Sequence, residues 1–364
     1  MKKRYIVTAI FFALPGLILL SCHTERFVLQ AAAKVLPPYA TNRISCKEGD
    51  PVKITSVGEI LVDMTQTHID SNGIPHFAAN PGGAPANVAV AAAKLGAQAA
   101  FIGCVGNDSY GRFLRDTLIR YGVDTGGLQV TEDASTTLAI VTVDEKGERS
   151  FSFYRKPGAD TRIDAARAIR AAQGTGILHF GSVSLTDPVC RDAVVSTVQA
   201  AKNTGTLITY DPNYRAALWE HEDAAVLQMR AVLPLCDIVK ISDEETMLLC
   251  GVSEPGEALE KLMSLGVRLA VVTLGAKGAM WRFGSLEGRV PGFSVKVADT
   301  NGAGDTFFGA FLSRIALRGS LAGLTAEELD RYVRFANKAA SITTSRPGAI
   351  PAMPSLEEVE EGFM

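Results

Sequence analysis

Short apolar segments alternate with amphipathic ones through the middle of this chain, and this alternation restricts the fold more than any other feature. Buried strands are predicted at Gly176 to Gly181, Leu207 to Tyr210, Asp237 to Ile241 and Leu269 to Thr273. Helices are predicted beside them at Pro188 to Asn203, Asp223 to Val232, Glu244 to Cys250 and Pro255 to Leu265. Strands that alternate with helices form a parallel sheet with helices on both faces. The sequence therefore predicts a layered α/β fold.

Polar residues follow these strands where each strand ends. Asp211 follows the second strand, Lys240 lies at the end of the third, and Thr273 leads into a loop that contains Gly275 and Gly278. Parallel sheets bind ligands beyond the carboxyl ends of their strands, where such residues come together. We therefore expect a ligand site at this edge of the sheet.

Two extended runs interrupt the alternation of strands and helices. They cover Thr137 to Asp144 and Arg149 to Tyr154, and the intervening Glu145 to Glu148 has the composition of a hairpin turn. A hairpin at this place predicts a small sheet that is separate from the main one. Arg155 follows the hairpin, and a cation there fits either a solvated surface or a clamp on an anionic product.

A glycine-rich turn, DTNGAGD over residues 299–305, runs straight into an apolar helical pattern. Gly302 and Gly304 let the backbone approach a ligand closely. A helix that starts here directs free N–H groups and the positive end of its dipole at the ligand, which favours a phosphate. Asp305 has two interpretations: it caps the helix, or it takes a proton from an attacking hydroxyl group.

More candidate positions lie where the globular pattern begins. The apolar run from Lys53 ends at Asp63, and the adjacent Gly82 and Gly83 precede an alanine-rich helix that contains Asn87. Adjacent glycines before a helix indicate a close approach of the backbone to a ligand. Structural roles fit these residues as well: Asp63 and the glycines in turns, and Asn87 as a helix cap.

Composition excludes several classes of function. Of the 364 residues, 47% are hydrophobic, which is enough for one large core or two domains. The net charge of −3, from 36 basic and 39 acidic residues, gives no basic excess for nucleic acid. The six cysteines and five histidines are scattered without zinc-type spacing, so we expect reduced thiols and no metal cluster.

Residues 1–22 have the layout of a secretory signal, with basic residues at positions 2–4, an apolar run, and Cys22 in a lipoprotein-like processing sequence. Three interpretations are open: an export signal, a membrane anchor with the rest of the chain inside the cell, or upstream sequence joined by a wrongly chosen start codon. The globular pattern starts near Val52. We therefore treat residues 1–51 as an N-terminal extension and 52–364 as the folded domain. Contact with a membrane is expected only if residues 1–22 are a membrane anchor.

Two motifs resemble the signatures of a known family. GGAPANVA at residues 82–89 and DTNGAGDTF at residues 299–307 are similar to the two signatures of the ribokinase-like sugar kinases, the PfkB family. The resemblance extends from about Lys53 to Phe363. It is greatest to bacterial and plant fructokinases, through FYR at 153–155 and DPNYR at 211–215.

This resemblance implies a ribokinase-like three-layer αβα domain, a parallel sheet between helices, with a small β-sheet lid. The lid would draw on about residues 63–80 and 137–155. It would close on the sugar and offers a surface for a homodimer. The implied ligands are a small-molecule sugar and ATP.

The resemblance also assigns roles to individual residues. Asp305 would be the general base, and its backbone N–H would hold the transferring phosphoryl group together with the turn Gly302, Ala303 and Gly304. The residues implied in sugar binding are Asp63, Gly82, Gly83, Asn87 and Arg155. Arg155 would reach the sugar or its phosphate. The residues implied at ATP are Lys240, Thr273, Gly275, Gly278 and Asn337.

Two cations are implied as well. Glu245 would hold Mg2+ through a water molecule, although Ser242 stands where the family often has asparagine. Asp299 lies in a loop that, in the family, often binds a monovalent cation together with the Ser345 to Gly348 loop, so K+ dependence is expected.

The implied activity is ATP-dependent phosphorylation of a sugar hydroxymethyl group, giving fructose 6-phosphate from D-fructose. Positioning and charge stabilisation carry such catalysis. One alternative is a kinase of 2-keto-3-deoxygluconate or another sugar, in which Arg155 or Arg215 would bind a substrate carboxylate. An alternative of a different class is an exported sugar-binding lipoprotein. ATP is scarce outside the cytoplasm, so a cytoplasmic protein is expected.

Overall fold

The strands form two sheets of different size in this computed structural model, which describes residues 50–143 and 149–361. In chain order the strands are β1 Ile54–Val57, β2 Leu61–Ile69, β3 Pro75–Gly82, β4 Ala99–Gly106, β5 Val123–Thr131, β6 Leu138–Val143, β7 Arg149–Tyr154, β8 Ile177–Gly181, β9 Leu207–Asp211, β10 Ile238–Ser242, β11 Leu269–Thr273, β12 Ala279–Phe283 and β13 Leu286–Val290. The larger sheet has nine strands in the order β13-β12-β11-β10-β9-β8-β1-β4-β5. From β11 to β5 the neighbours pair in parallel, and β12 and β13 extend the sheet by antiparallel pairing.

Helices connect the parallel strands. They are α1 Ala84–Lys94, α2 Ser109–Arg120, α3 Ala165–Ala171, α4 Pro188–Asn203, α5 Glu222–Ala231, α6 Thr246–Cys250, α7 Pro255–Ser264, α8 Ala303–Arg318, α9 Ala326–Thr344 and α10 Leu356–Glu360. Local signals fix their ends: Asp187 accepts bonds from two backbone N–H groups at the start of α4, and α8 ends at the left-handed Gly319.

The apolar residues of each central strand alternate between two cores. In β11, Val271 belongs to the core under α8 and α9, whereas its neighbour Val272 belongs to the core under α4 and α7. Successive side chains of a strand point to opposite faces of the sheet, so β11 is covered on both sides. The predicted three-layer arrangement with a mostly parallel sheet is confirmed.

The edge of the sheet differs from the prediction. The alternation of strands and helices does not predict the antiparallel hairpin of β12 and β13, in which Gly284 occupies the left-handed region at φ 57°. Trp281 is fully buried in this hairpin, and a side chain at Gly288 would collide with its indole ring. Polar residues alternate with these packing positions, so the segment lacks the continuous apolar run of the central strands.

The second sheet has four strands in the order β3-β2-β6-β7. β2 follows β1 after three residues and pairs in parallel with β6, while β3 and β7 pair antiparallel at the two edges. The predicted small sheet is therefore confirmed. Its expected turn at Glu145 to Glu148 lies outside the described residues.

The signal-like segment also lies outside the described residues. Among residues 50–143 and 149–361, no helix is long and apolar enough to cross a membrane. Four cysteines in these ranges are free and buried, namely Cys104, Cys190, Cys236 and Cys250, whereas Cys22 and Cys46 fall outside them.

Candidate active site

The start of α8 presents backbone N–H groups at the carboxyl edge of the main sheet. Gly302 precedes the helix with φ 72°, and a Cβ there would lie 2.7 Å from the side chain of Ala349, so glycine is required. Ala303 N donates to Thr300 O at 3.3 Å, which differs from the expectation that its N–H is open. The N–H groups of Gly304 and Asp305 have no hydrogen-bond acceptor within the described part of the chain. These two groups form an anion-binding helix start.

Asp305 lies in the first turn of α8, but its carboxylate bonds to other elements. Oδ2 accepts a hydrogen bond of 2.7 Å from Asn87 Nδ2 on α1, and Oδ1 accepts one of 3.3 Å from Asn213 Nδ2 after β9. α8 has no side-chain cap, so helix capping does not account for this aspartate. Burial raises its pKa, against the lowering effects of the Asn87 bond and the Lys240 charge.

A buried ion pair stands beside the helix start. Lys240 Nζ lies 2.8 Å from Asp211 Oδ2, and a Cβ on Gly304 would lie 3.2 Å from the same ammonium nitrogen. Gly304 thus leaves room for the lysine charge next to the free N–H groups. Burial raises the pKa of Asp211 to about 7, with Lys240 opposing this effect, and its Oδ1 has no partner among the described residues.

The opposite wall is built from β2, β3 and α1. Burial raises the pKa of Asp63 to about 6, against a hydrogen bond from Asn301. A side chain at Gly82 would collide with the Asp63 carboxylate. Gly83 starts α1 at φ 106°, and a Cβ there would lie 2.6 Å from Glu59 O. Both glycines therefore allow a close packing that holds Asp63 and the start of α1 in place.

A cavity of about 830 Å3 separates these walls. The predicted site residues that line it are Asp63, Gly83, Asn87, Lys240, Asp299, Gly302, Gly304 and Asp305. Asn87 Oδ1 is buried at the cavity and has no partner in the described ranges. The structure therefore brings together residues that are far apart in sequence.

The residues expected at ATP lie outside this cavity, except for Lys240. Asn337 Nδ2 donates to Val290 O at 3.3 Å and Pro291 O at 3.1 Å. Thr273 Oγ1 donates to Ile241 O at 3.3 Å. Gly278 packs against the end of β13, since a side chain at this position would collide with Val290 O. A Cβ on Gly275, in contrast, would meet no atom within 4 Å, so this backbone is open to a ligand.

Glu245 makes contacts that the sequence did not predict. Glu245 Oε1 accepts from Tyr214 N at 2.8 Å, and Oε2 accepts from Ser242 N at 2.9 Å and Ser242 Oγ at 3.1 Å. The carboxylate thus completes a capping box with Ser242, and it does not line the cavity. Among the described residues, no group of three or more acidic, histidine or cysteine residues could hold a metal ion directly.

Arg155 is neither on the surface nor at the cavity. Its side chain is 7% exposed and forms an ion pair with Asp160, with Arg155 Nε 2.7 Å from Asp160 Oδ2. Arg155 is therefore neither a solvated surface residue nor a clamp at the cavity in this structure, as the sequence had suggested. A partner five residues away, brought next to it by a turn, holds the guanidinium inside the protein.

The Asp299 loop contacts the loop that the resemblance pairs with it. Asp299 Oδ2 accepts from Gly348 N at 3.1 Å, and Ala298 N donates to Thr344 O at 2.9 Å. Asp299 Oδ1 accepts from Asn301 N at 3.0 Å, which shapes the turn before α8. The two loops expected at K+ are therefore adjacent.

Sequence reasoning missed several cavity residues. They are Glu59, Asn213 and Asn301. Arg215, which the sequence offered only for a keto-acid substrate, also lines the cavity. Asn213 has φ 47°, a conformation in which asparagine is enriched. The signal for it was the polar run directly after a buried strand, because such runs lie at the ligand edge of a parallel sheet.

A buried carboxylate, a helix start with two open N–H groups and a buried cation surround one cavity, and this arrangement fits the transfer of a phosphoryl group to a small hydroxyl compound. Residues 52–356 match the pfkB family carbohydrate kinases. The chain belongs to this family and is a sugar kinase.

Fructokinases are among the proteins similar to this chain. Fructokinase-1 of Zea mays is 39% identical over 310 residues, covering 84% of this chain and 96% of the relative. The crystal structure of a fructokinase with bound ATP from Xylella fastidiosa has a TM-score of 0.79 and 34% identity, covering 85% of this chain and 97% of the other. A Vibrio cholerae fructokinase bound to fructose, ADP and calcium has a TM-score of 0.76 and 31% identity, covering 85% and 98%.

Proposed function

We propose that this protein phosphorylates D-fructose with ATP and yields fructose 6-phosphate. The observation that carries the proposal is Asp305, a buried carboxylate at the cavity beside the free N–H groups of the α8 start. The fructokinases of Zea mays and Xylella fastidiosa, at 39% and 34% identity, support fructose as the acceptor.

The chemistry follows from the residues around the cavity. Asp305 takes the proton of the sugar hydroxymethyl group while Asn87 and Asn213 hold its carboxylate in place. The N–H groups of Gly304 and Asp305, with the ammonium of Lys240, bind the charge that develops on the transferring phosphoryl group. Asp63 and Asn87, which both line the cavity, bind the sugar hydroxyl groups.

A hydrated Mg2+ fits the residues better than a directly bound ion. Mg2+ retains several water molecules in such sites. Glu245 Oε1 accepts one bond from Tyr214 N and has a further acceptor position for a metal-bound water. Mg2+ neutralises phosphate charge on the bound nucleotide. We assign ATP to the region of Lys240 and the open Gly275 backbone, where Thr273, Gly278 and Asn337 shape the loops.

The structure favours a neutral sugar over 2-keto-3-deoxygluconate. Arg155, which a carboxylate substrate could have used, is bound to Asp160. Arg215 lines the cavity, but Asp63, Asp299 and Asp305 line it as well. The kinase family and the base at the cavity also favour an enzyme over a sugar-binding lipoprotein, because a binding protein needs no base beside an anion site.

Three properties belong to the same proposal. The protein acts in the cytoplasm, where ATP is available, and fractionation of cells tests this. K+ binds between the Asp299 loop and the Ser345–Gly348 loop and raises activity, as a fructokinase double mutant of Vibrio cholerae with bound potassium suggests. The small sheet forms a homodimer, which light scattering would reveal.

A panel of sugars with ATP and MgCl2 tests the function. We expect D-fructose to give the highest kcat/KM, with D-ribose, D-glucose and 2-keto-3-deoxygluconate as comparisons. A keto acid that exceeds fructose would overturn the substrate, and sugar binding without ADP release would overturn the kinase reaction.

A further inference from the structure

A buried cluster joins the small sheet to the main one. This hinge cluster consists of Thr137, Arg155, Gly158, Asp160 and Thr186. Asp160 Oδ2 accepts from Arg155 Nε at 2.7 Å, and Asp160 Oδ1 accepts from Thr137 Oγ1. Thr137 directly precedes β6 and Arg155 directly follows β7. One carboxylate, itself fully buried, therefore holds both ends of the hairpin that forms half of the small sheet.

The remaining nitrogens of Arg155 reach the main sheet. Arg155 Nη1 donates to Thr186 Oγ1 at 2.6 Å, and Nη2 donates to Val183 O at 3.2 Å. Both acceptors belong to the turn that follows β8 at the ligand edge. Only the planar fork of arginine can serve these partners and Asp160 together.

Gly158 shows that the cluster is closely packed. A Cβ there would lie 2.7 Å from Arg155 Cγ and 2.8 Å from Asp160 Oδ1. Ala159 N also donates to Ser135 O at 2.9 Å, which ties the backbone on the two sides of the hairpin. The base of the hairpin is therefore fixed by charge, side-chain and backbone bonds.

The hairpin carries cavity residues. Val141 on β6 and Phe153 on β7 line the cavity, together with Val183 of the turn that Arg155 contacts. Phe153 lies two residues before Arg155. A displacement of the guanidinium would therefore move this wall relative to Asp305.

We propose that the Arg155–Asp160 pair, with Thr137 and Thr186, is a hinge anchor that positions the β6–β7 hairpin over the bound sugar. Arg155 is a positioning residue that does not touch the sugar. This inference rests on the sugar kinase activity, and it holds for whichever sugar the unmodified protein accepts.

The first test removes single hydroxyl groups at nearly constant volume. Thr186→Val and Thr137→Val should each raise the KM for sugar about tenfold to a hundredfold, the effect of losing one hydrogen bond to a charged group, with the KM for ATP unchanged. Since a loose lid admits water, which hydrolyses some ATP without sugar transfer, the total ATP consumed per sugar phosphorylated should rise above one. Thr197→Val is the matched control, because Thr197 is as buried as Thr137 and bonds only Ala193 O within α4.

The proposal would be overturned if Thr186→Val and Thr137→Val both had the same KM for sugar as the control Thr197→Val. Thr186 is only half-buried, so its variant decides the question if Thr137→Val does not fold. The proposed function is tested separately by the unmodified protein: if that protein phosphorylates no sugar, the function is wrong whatever the variants show.

The second test separates positioning from direct contact. Arg155→Lys loses the bonds to Thr186 and Val183, so adding Thr186→Val to it should change the sugar KM no further. Multiplicative effects of the two substitutions would show that Arg155 and Thr186 act independently, which contradicts the hinge anchor.

Discussion

Replacing Asp305 with asparagine separates the chemistry of this site from its architecture. Asp305 accepts from Asn87 and Asn213. Asparagine keeps one acceptor oxygen, and its new NH2 group can face Asn87 Oδ1, which has no partner in the described residues. Only the ability to take a proton is lost completely.

The expected loss in kcat is large and the expected loss in stability is zero. General base catalysis contributes about 10²- to 10⁴-fold, which corresponds to about 3–5 kcal/mol in the activation barrier. Burial raises the folded-state pKa of Asp305 above 3.8, the ordinary value for an aspartate. A carboxyl group whose pKa is raised in the folded state takes up protons on folding. The stability that it contributes at low pH is therefore lost as the pH rises above 3.8. At neutral pH the uncharged asparagine should therefore leave the Tm unchanged or higher.

The assay measures ADP release with sugar and ATP varied in turn, together with thermal unfolding. Asp192→Asn, the same change at an exposed position on α4, is the matched control and should leave kcat unchanged. A turnover in Asp305→Asn close to that of the control would refute the assignment of the base. A large drop in Tm would refute the argument that the charge is destabilising.

Three further predictions concern the rest of the domain. Gly83→Ala should lower stability by about 1–3 kcal/mol, because φ of 106° is unfavourable for alanine and a Cβ would lie 2.6 Å from Glu59 O; an unchanged urea midpoint would contradict this. Burial raises the pKa of Asp63 to about 6, so the KM for sugar should rise as pH falls through about 6, and an unaltered pH profile in Asp63→Asn would exclude this residue. A chain starting at Asp50 retains the Val52 N bond to Ala316 O and should fold and phosphorylate sugar like the full chain; an insoluble product would place residues 1–49 in the fold.

The sequence by itself determined the three-layer fold and the small sheet, and it singled out Asp305 as the proposed base. Strand and helix periodicity is local, so the central strands were predictable from apolar runs such as that of β11. The glycine-rich turn was predictable because its function depends on backbone freedom at Gly302 and Gly304. Asp305 stood out because a carboxylate at an anion-binding helix start needs a chemical role.

Tertiary structure alone decided which partners the polar side chains meet. Asn87 bonds to Asp305 across 218 positions of sequence, and no local pattern specifies such a pair. Arg155 was predicted at the sugar or on the surface, yet a folded turn gives it the buried carboxylate of Asp160. A cation is placed by the nearest compensating charge, since an unpaired buried charge is unfavourable, and that charge is known only once the chain has folded.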